Sequence, residues 1–191
     1  FTAAIALLEF GSIAAGIEAG DAMVKRAALE VIRTGTVQPG RYLVLVGGEV
    51  GQVEEALAAA DAVAAGFVVD RMFLPDPHPQ LATALSGTRE AGEGESLGII
   101  ETNSVAAIIR AADAGLKGAL VTLREIFLAD GLGGKGYLLL RGPLVEVEAA
   151  VELGAARAGP GLIGSRVIAQ LHDEMDENLA AAGKFAARVG E

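Results

Sequence analysis

The chain carries one sequence pattern twice. The segment Ala4–Lys25 (AIALLEFGSIAAGIEAGDAMVK) recurs 92 positions later as Ser96–Lys117 (SLGIIETNSVAAIIRAADAGLK). Further along, Val46–Leu57 recurs as Leu140–Val151 at an offset of 94. These matches indicate a tandem duplication of one domain, and two copies are too few for a solenoid. A chain with two similar domains can occupy two positions in a closed ring.

The two copies share one predicted order of elements. Hydrophobic periodicity predicts a buried strand, a helix, two strands joined by a turn, a second helix and a last strand. In the first copy these elements are Ala4–Leu8, Ile13–Lys25, Leu29–Arg33, Tyr42–Val46, Val50–Ala65 and Phe67–Leu74. In the second copy they are Leu97–Ile100, Val105–Lys117, Val121–Leu128, Tyr137–Leu140, Val145–Arg157 and Gly161–Ile168. The order β-α-β-β-α-β predicts an α+β chain of two tandem ferredoxin-like domains.

The domain boundaries follow from the duplication and from the segment between the copies. Ser86–Ser96 (SGTREAGEGES) is polar and glycine-rich, as expected of a linker. We therefore expect domains at residues 1–88 and 96–191. Ser12 and Ser104 stand where the N-caps of the first helices belong. An additional amphipathic helix is predicted from Asp173 to Val189.

Composition narrows the possible functions. The sequence contains no cysteine, which excludes disulfides, thiolate metal sites and cysteine nucleophiles. A formal net charge of −10 and 15 scattered lysines and arginines argue against nucleic acid as a partner. No apolar run reaches the roughly 18 residues of a membrane span. No basic region precedes the first apolar run, so we expect a cytosolic protein without a signal peptide.

Three glycines, Gly131, Gly133 and Gly136, match the G-x-G-x-x-G pattern of dinucleotide-binding loops. In those loops a helix follows the last glycine, whereas Tyr137–Leu140 reads as a strand. The equivalent turn of the first copy lacks the glycines. We therefore interpret this pattern as a tight hairpin turn.

Two pairs of titratable residues occupy equivalent places in the copies. His78 and His172 are the only histidines, and we interpret them as structural or interface residues rather than metal ligands. Glu9 and Glu101 close the first strands, where paired carboxylates could serve acid–base catalysis. Because each belongs to a different copy, a structural role is favoured. Without a clustered titratable site, neither an enzyme nor a metal site is predicted.

Both copies resemble a known family. Ala4–Lys25 and Val46–Ala56 (VGGEVGQVEEA) in the first copy are similar to the shell-protein domain of bacterial microcompartments, as are Ile99–Lys117 and Gly131–Tyr137 (GLGGKGY) in the second. Both copies begin at the usual first strand, so the chain resembles the tandem, non-permuted trimeric class found in propanediol-utilisation microcompartments. The resemblance implies a homotrimer that mimics a hexamer, with six domains around a central pore. Such tiles pack edge to edge with other shell proteins into a microcompartment shell in the cytoplasm.

The resemblance also assigns roles to particular residues. The pore-lining turns map to Thr36, Val37, Gln38, Pro39 and Gly40 in the first copy and to Gly131, Leu132, Gly133 and Gly134 in the second. A pore of this kind implies small polar metabolites as passengers. Lys25 and Lys117 map to the edge lysine of the family, and these lysines, with His78 and His172, are expected at tile edges. The residues alone favour a simpler interpretation of the lysines, as solvated cations at helix ends.

The resemblance further bears on cofactors. In propanediol-type relatives a cysteine at the position of Gln38 holds an iron–sulfur cluster on the threefold axis. That cysteine is absent from this sequence, so no cofactor is expected.

Two functions of other classes remain open at this point. A trimeric ferredoxin-like regulatory protein would bind a metabolite in a cleft between chains. A small enzyme would require a clustered titratable site.

Purified protein is expected to be colourless and free of iron, because no thiolate is available to ligate a cluster. Iron analysis and visible absorption after anaerobic purification check this, and stoichiometric cluster iron would contradict it. The variant Gln38→Cys is expected to restore a threefold cluster site. Its failure to bind a cluster during reconstitution would count against the assigned pore position.

Overall fold

The computed structural model describes residues 3–181 and 189, and it contains two similar domains in succession. The first domain consists of β1 (Ala4–Phe10), α1 (Ile13–Arg26), β2 (Val31–Val37), β3 (Arg41–Gly48), α2 (Val50–Ala64) and β4 (Val68–Leu74), and the helix α3 (Pro79–Leu85) follows it. The second domain consists of β5 (Ser96–Thr102), α4 (Val105–Gly118), β6 (Thr122–Leu128), β7 (Gly136–Gly142), α5 (Leu144–Ala158) and β8 (Leu162–Ile168), followed by α6 (Asp173–Ala180). A short 3-10 turn precedes both β4 and β8.

Each domain has a four-stranded antiparallel sheet. The strand orders are β2-β3-β1-β4 and β6-β7-β5-β8. In each sheet both edge strands follow a helix in the sequence, as in the split β-α-β-β-α-β unit. The predicted α+β architecture of two tandem ferredoxin-like domains is therefore confirmed.

Two helices differ from the sequence prediction. The helix α3 was not predicted, because seven residues are too few for a clear helical period. The helix predicted from Asp173 to Val189 is present as far as Ala180. Much of its remaining length falls on residues 182–188, which lie outside the described residues.

The strand β1 is buried on both of its faces, and all seven of its residues are at most 3% exposed. Ala4, Ala6, Leu8 and Phe10 pack against α1 and α2 in one core. Ile5 and Leu7 point the opposite way and join a core that includes α4 of the second domain. The first sheet is thus covered by its own helices on one face and by the second domain on the other. This arrangement explains why β1 reads as a continuous apolar run.

The first helix of each domain begins at a serine, as predicted. The Ser12 hydroxyl accepts a hydrogen bond from the Ala15 N–H at 3.3 Å. The Ser104 hydroxyl accepts one from the Ala107 N–H at 3.1 Å. Each serine satisfies one of the backbone donors that an α-helix leaves unpaired at its N-terminus.

Small residues allow the two helices of the second domain to pack closely. A Cβ atom at Gly154 of α5 would lie 2.9 Å from the carbonyl oxygen of Ala111 in α4. A Cβ atom at Gly115 of α4 would lie 3.0 Å from the carbonyl oxygen of Ala150 in α5. Glycine at these two positions therefore allows the backbones of α4 and α5 to approach each other closely.

A polar cluster joins the first sheet to α4. Asp70 of β4 accepts hydrogen bonds from both terminal nitrogens of Arg110, at 3.0 and 3.2 Å, and from the Ser104 hydroxyl. Burial raises the pKa of Asp70, but the hydrogen bonds from Arg110 and Ser104 and the charge of Arg110 outweigh burial and hold the pKa below its usual value of 3.8. The ionised carboxylate therefore stabilises the contact between the domains.

Replacing Asp70 with Asn is expected to lower the free energy of unfolding at neutral pH by about 1–3 kcal/mol, because Arg110 loses its carboxylate partner. Since the folded pKa of Asp70 lies below the unfolded one, the stabilisation is present above about pH 3.8 and is lost as the pH falls through the folded pKa. Denaturant unfolding of parent and variant over a pH series measures this difference. The control is Asp21→Asn, which removes an exposed pair with Lys25 and is expected to cost less than about 1 kcal/mol. Equal losses in the two variants would contradict the role of Asp70.

Candidate functional site

The two turns that the family resemblance assigns to a pore lie next to each other. The turn after β2 and the turn after β6 line one depression of about 410 Å³, formed by Thr36, Val37, Gln38, Gly40, Asp130 and Gly131. At the junction a Cβ atom on Gly134 would lie 3.1 Å from both the Gln38 carbonyl oxygen and the Pro39 ring. The fold therefore brings the assigned residues of the two domains together.

The glycines of the second turn serve its backbone conformation. Gly131, Gly133 and Gly134 have positive φ angles of 74°, 63° and 89°, a region that residues with a side chain rarely adopt. The Leu132 N–H donates to the Ala129 carbonyl at 2.9 Å and closes the turn. The strand β7 begins directly at Gly136. The interpretation of the glycine pattern as a hairpin turn is confirmed.

Near these turns, Glu9 of the first domain is buried against the second domain. Its side chain is 0% exposed, and it accepts hydrogen bonds from the Ala106 N–H at 2.6 Å and from Arg41 at 3.1 Å. Burial raises the pKa of Glu9, and the Ala106 N–H and Arg41 offset only part of that rise. The carboxylate lies at the N-terminus of α4, where the helix dipole favours an anion.

The equivalent carboxylate of the second domain lies open. Glu101 is 39% exposed and accepts a hydrogen bond from Lys135 at 2.8 Å. Lys135 is 94 positions beyond Arg41, so the pair Glu101–Lys135 repeats the pair Glu9–Arg41. The helix N-terminus that Glu9 contacts has no equivalent at Glu101 within the described residues. The two glutamates therefore occupy equivalent places but have different surroundings.

The helices α1 and α4 differ in the same way. Ile109 and Val105 of α4 are both 0% exposed in the core that α4 shares with the first sheet, whereas their equivalents Ile17 and Ile13 in α1 are 53% and 41% exposed. Ile17 and Val24 border a groove of about 300 Å³ on this side of α1. The side of α1 that matches the covered side of α4 is therefore an exposed apolar surface.

The two lysines have different partners. Lys25 is bonded to Asp21 at 2.5 Å on the surface of α1. Lys117 is bonded to Asp113 at 2.8 Å and also donates to the carbonyl of Asp76, which belongs to the first domain. Lys117 therefore contributes to the contact between the domains within the chain.

The two histidines both begin helices. Nδ1 of His78 accepts the Gln80 N–H at the start of α3, and Nδ1 of His172 accepts the Glu174 N–H at the start of α6, each at 3.3 Å. The backbone N–H of His78 also donates to Asp113 at 2.8 Å. Both histidines thus cap the helix that follows the last strand of a domain.

Two kinds of feature are absent from the part of the chain that the structure describes. Among residues 3–181 no group of three or more His, Asp and Glu side chains could hold a metal ion. No helix in that range has the length and apolar character needed to cross a bilayer.

Sequence reasoning missed the polar residues that hold the two domains together. The roles of Arg41, Asp70 and Arg110 depend on which surfaces meet, and no local pattern encodes that. One signal was present: Glu9 recurs as Glu101, which is unusual for a residue in a buried apolar strand.

Comparisons with known proteins agree with this fold. The model of the BMC domain matches residues 4–77 and again residues 96–171. The bacterial microcompartment shell protein PduT of Citrobacter freundii is 41% identical over 174 residues, which cover 90% of this chain and 95% of PduT. The carboxysome shell protein CsoS1A of Halothiobacillus neapolitanus is 39% identical over 94 residues, which cover 47% of this chain and 92% of that protein.

A solved structure extends the match to three dimensions. A microcompartment protein from Desulfitobacterium hafniense superposes with a TM-score of 0.79 and 40% sequence identity. The match covers 91% of this chain and 98% of that structure. With both of its domains matched by one family model, the chain belongs to the BMC-domain family of bacterial microcompartment shell proteins.

Proposed function

We propose that this shell protein is a structural tile, a homotrimer in which six BMC domains surround a pore for small polar metabolites. The observation that carries this proposal is the contact between the domains within one chain. That contact seats α4 on the outer face of the first sheet, meaning the face turned away from the domain's own helices. The chain also presents both halves of a second, similar contact: an exposed side of α1 and a partly exposed region of the second sheet.

The first exposed half is the apolar side of α1. Ile13, Ile17 and Val24 are 41%, 53% and 44% exposed, whereas the equivalent residues of α4 are buried in the core that α4 shares with the first sheet. Three exposed apolar side chains, two of which (Ile17 and Val24) line a groove, indicate a surface that a partner covers.

The second half is a partly exposed region on the outer face of the second sheet. It contains the partly buried Ile99 and Glu101 and the exposed Ile168, with exposed fractions of 39% for the Glu101 side chain and 38% for Ile168. These residues are equivalent to the buried Leu7, Glu9 and Leu74 of the first sheet. Glu101 already has its cation, Lys135. It lacks the helix N–H that Glu9 accepts, and the equivalent donor is the Ala14 N–H of α1. Placing α1 of one chain on the second sheet of the next supplies that donor.

Repetition of one contact accounts for a closed ring. The contact joins a helix side to a sheet face, so it is heterologous and generates a ring when its rotation closes. Each chain supplies two domains and makes one such contact internally. A ring of six domains, as the family resemblance implies, therefore contains three chains and three contacts between chains.

The pore follows from the position of the two turns. In the proposed ring the turns that line the depression at Gln38 and Gly131 face the axis three times each. Gln38 offers an amide that donates or accepts, and Leu132 narrows the path without adding charge. We infer a passage selective by size and hydrogen bonding.

The residues at the axis do not fit an iron–sulfur cluster. Such clusters are held by cysteine thiolates, and the side chain at the assigned position is the amide of Gln38 in a chain without cysteine. We propose a structural role without catalysis or electron transfer.

The outer edges of the tile are proposed to carry Lys25, Lys117, His78 and His172, where neighbouring shell proteins meet. Lys25 and Lys117 keep exposed side-chain fractions of 73% and 41%. Their alkyl stems can pack along a neighbour while the ammonium groups donate to facing carbonyls.

The parent protein is expected to have the mass of a homotrimer in native mass spectrometry and light scattering. Ile17→Asp is expected to yield a folded chain of lower mass, because it places a charge in the apolar contact between chains. Val63→Asp is the matched control, since Val63 is a 43% exposed residue of α2 outside the proposed contact, and it should remain a trimer. A parent that is monomeric or dimeric over a range of concentrations, or an Ile17→Asp variant that stays trimeric, would contradict the proposal.

Leu132→Trp is expected to slow the entry of a small polar metabolite into assembled shells without changing the trimer mass, because the larger side chain narrows the axial path. Leu120→Trp is the control, since Leu120 is 84% exposed and lies away from the turns at the end of α4. Entry can be measured through the turnover of an enzyme enclosed in the shell. Equal rates in parent, Leu132→Trp and Leu120→Trp shells would show that passage does not depend on this pore.

A further inference from the structure

The two domains share their shape, but their charges differ at equivalent places in the contact surfaces. Within the chain, an anion on the sheet, Asp70, pairs with a cation on the helix, Arg110. The side-chain exposures of these residues are 24% and 16%. This pair lies within the contact between the first sheet and α4.

The strand registers identify the equivalent positions. Glu9 pairs with Asp70 and Leu7 with Met72 across β1 and β4, while Glu101 pairs with Gly164 and Ile99 with Arg166 across β5 and β8. Gly164 therefore replaces Asp70, and Arg166 replaces the buried Met72 two residues further along the same face. On the helices, the offset of 92 that relates Ile17 to Ile109 relates Glu18 to Arg110.

We propose that Glu18 of one chain forms an ion pair with Arg166 of the partner subunit in the contact between chains, and that this reversed polarity fixes which domains meet. The inference rests on the proposed homotrimer. Inside the chain the sheet carries the anion and the helix the cation. Between chains the sheet carries the cation and the helix the anion.

The surroundings of both residues agree with this pairing. Glu18 and Arg166 are exposed, and neither has an ion-pair partner among the described residues. The Arg166 guanidinium donates to the neighbouring Ser165 carbonyl at 2.6 Å and retains its other donors for a carboxylate. Two other acidic residues of the two surfaces recur with the same sign: Asp21 as Asp113 and Glu9 as Glu101. Those residues cannot distinguish one contact from the other.

The reversed polarity disfavours the wrong arrangements. If α1 lay on the first sheet, Glu18 would face Asp70 with Glu9 nearby. If α4 lay on the second sheet, Arg110 would face Arg166. Like charges brought together in an interface suppress the wrong partner. First and second domains therefore alternate around the ring, which is the arrangement that a closed homotrimer requires.

Charge reversal tests the pair. Glu18→Arg and Arg166→Glu are each expected to raise the protein concentration at which the trimer half-dissociates by about tenfold, because each creates a like-charged pair. The double variant Glu18→Arg/Arg166→Glu restores opposite charges and is expected to return close to the parent value. Glu54→Arg, on the exposed surface of α2, is the control for the change in net charge and should leave the value unchanged.

The measurement is mass photometry or sedimentation over a dilution series, at low and at high salt. The differences are expected to shrink at 1 M salt, where charges are screened beyond roughly 3 Å. The proposed pair would be overturned if the loss of trimer stability in the double variant equalled the sum of the losses in the two single variants. Failure of this inference is distinct from failure of the trimer: if Ile17→Asp dissociates the ring while both charge reversals leave it unchanged, the ring stands and the pair does not.

Discussion

The seating of α4 on the outer face of the first sheet is the contact on which the rest of the structure depends. It gives β1 a second apolar neighbour, so that Ile5 and Leu7 are buried as fully as the residues that face α1 and α2. It also places a carboxylate, Glu9, out of reach of water. Burial of an ionisable group is costly, and here the Ala106 N–H and the Arg41 guanidinium offset part of the cost. The polar and apolar parts of the contact therefore depend on the same placement of α4.

Duplication explains why the chain has one such contact and, within the described residues, an equivalent helix side and an equivalent sheet face that do not make it. Each domain carries a helix side and a sheet face that fit each other, but a single chain can join only one helix to one sheet. The remaining helix side, on α1, and the remaining sheet face, on the second sheet, cannot reach each other through the same geometry. The proposed association of chains would join these two surfaces, and it would bury the exposed Ile17 and the partly buried Ile99.

The two domains have diverged where their environments differ. The first turn carries Gln38 and Pro39, whereas the second carries three glycines at positive φ, and the two turns meet where Gly134 approaches the Gln38 carbonyl. The strand β4 carries Asp70 where β8 has Gly164, and α4 carries Arg110 where α1 has Glu18. A single-domain hexamer uses one surface for every contact and cannot make such distinctions. Two domains in one chain can, because each contact then has its own pair of surfaces.

The sequence by itself determined the duplication, the order of elements and the absence of thiolate chemistry. Local signals were sufficient for these: the repeat offsets, the alternation and helical periods, the serine caps and the composition. It did not determine that α3 forms or that Asp70, Arg110 and Arg41 act together, because those facts depend on which face of one domain meets which side of the other. The apolar run of β1 is consistent with burial on both faces. No local pattern identifies α4 as the helix that covers the second face. The tertiary structure decided that neighbour, since only the arrangement of the two sheets brings residues 97 positions apart, Glu9 and Ala106, within hydrogen-bonding distance.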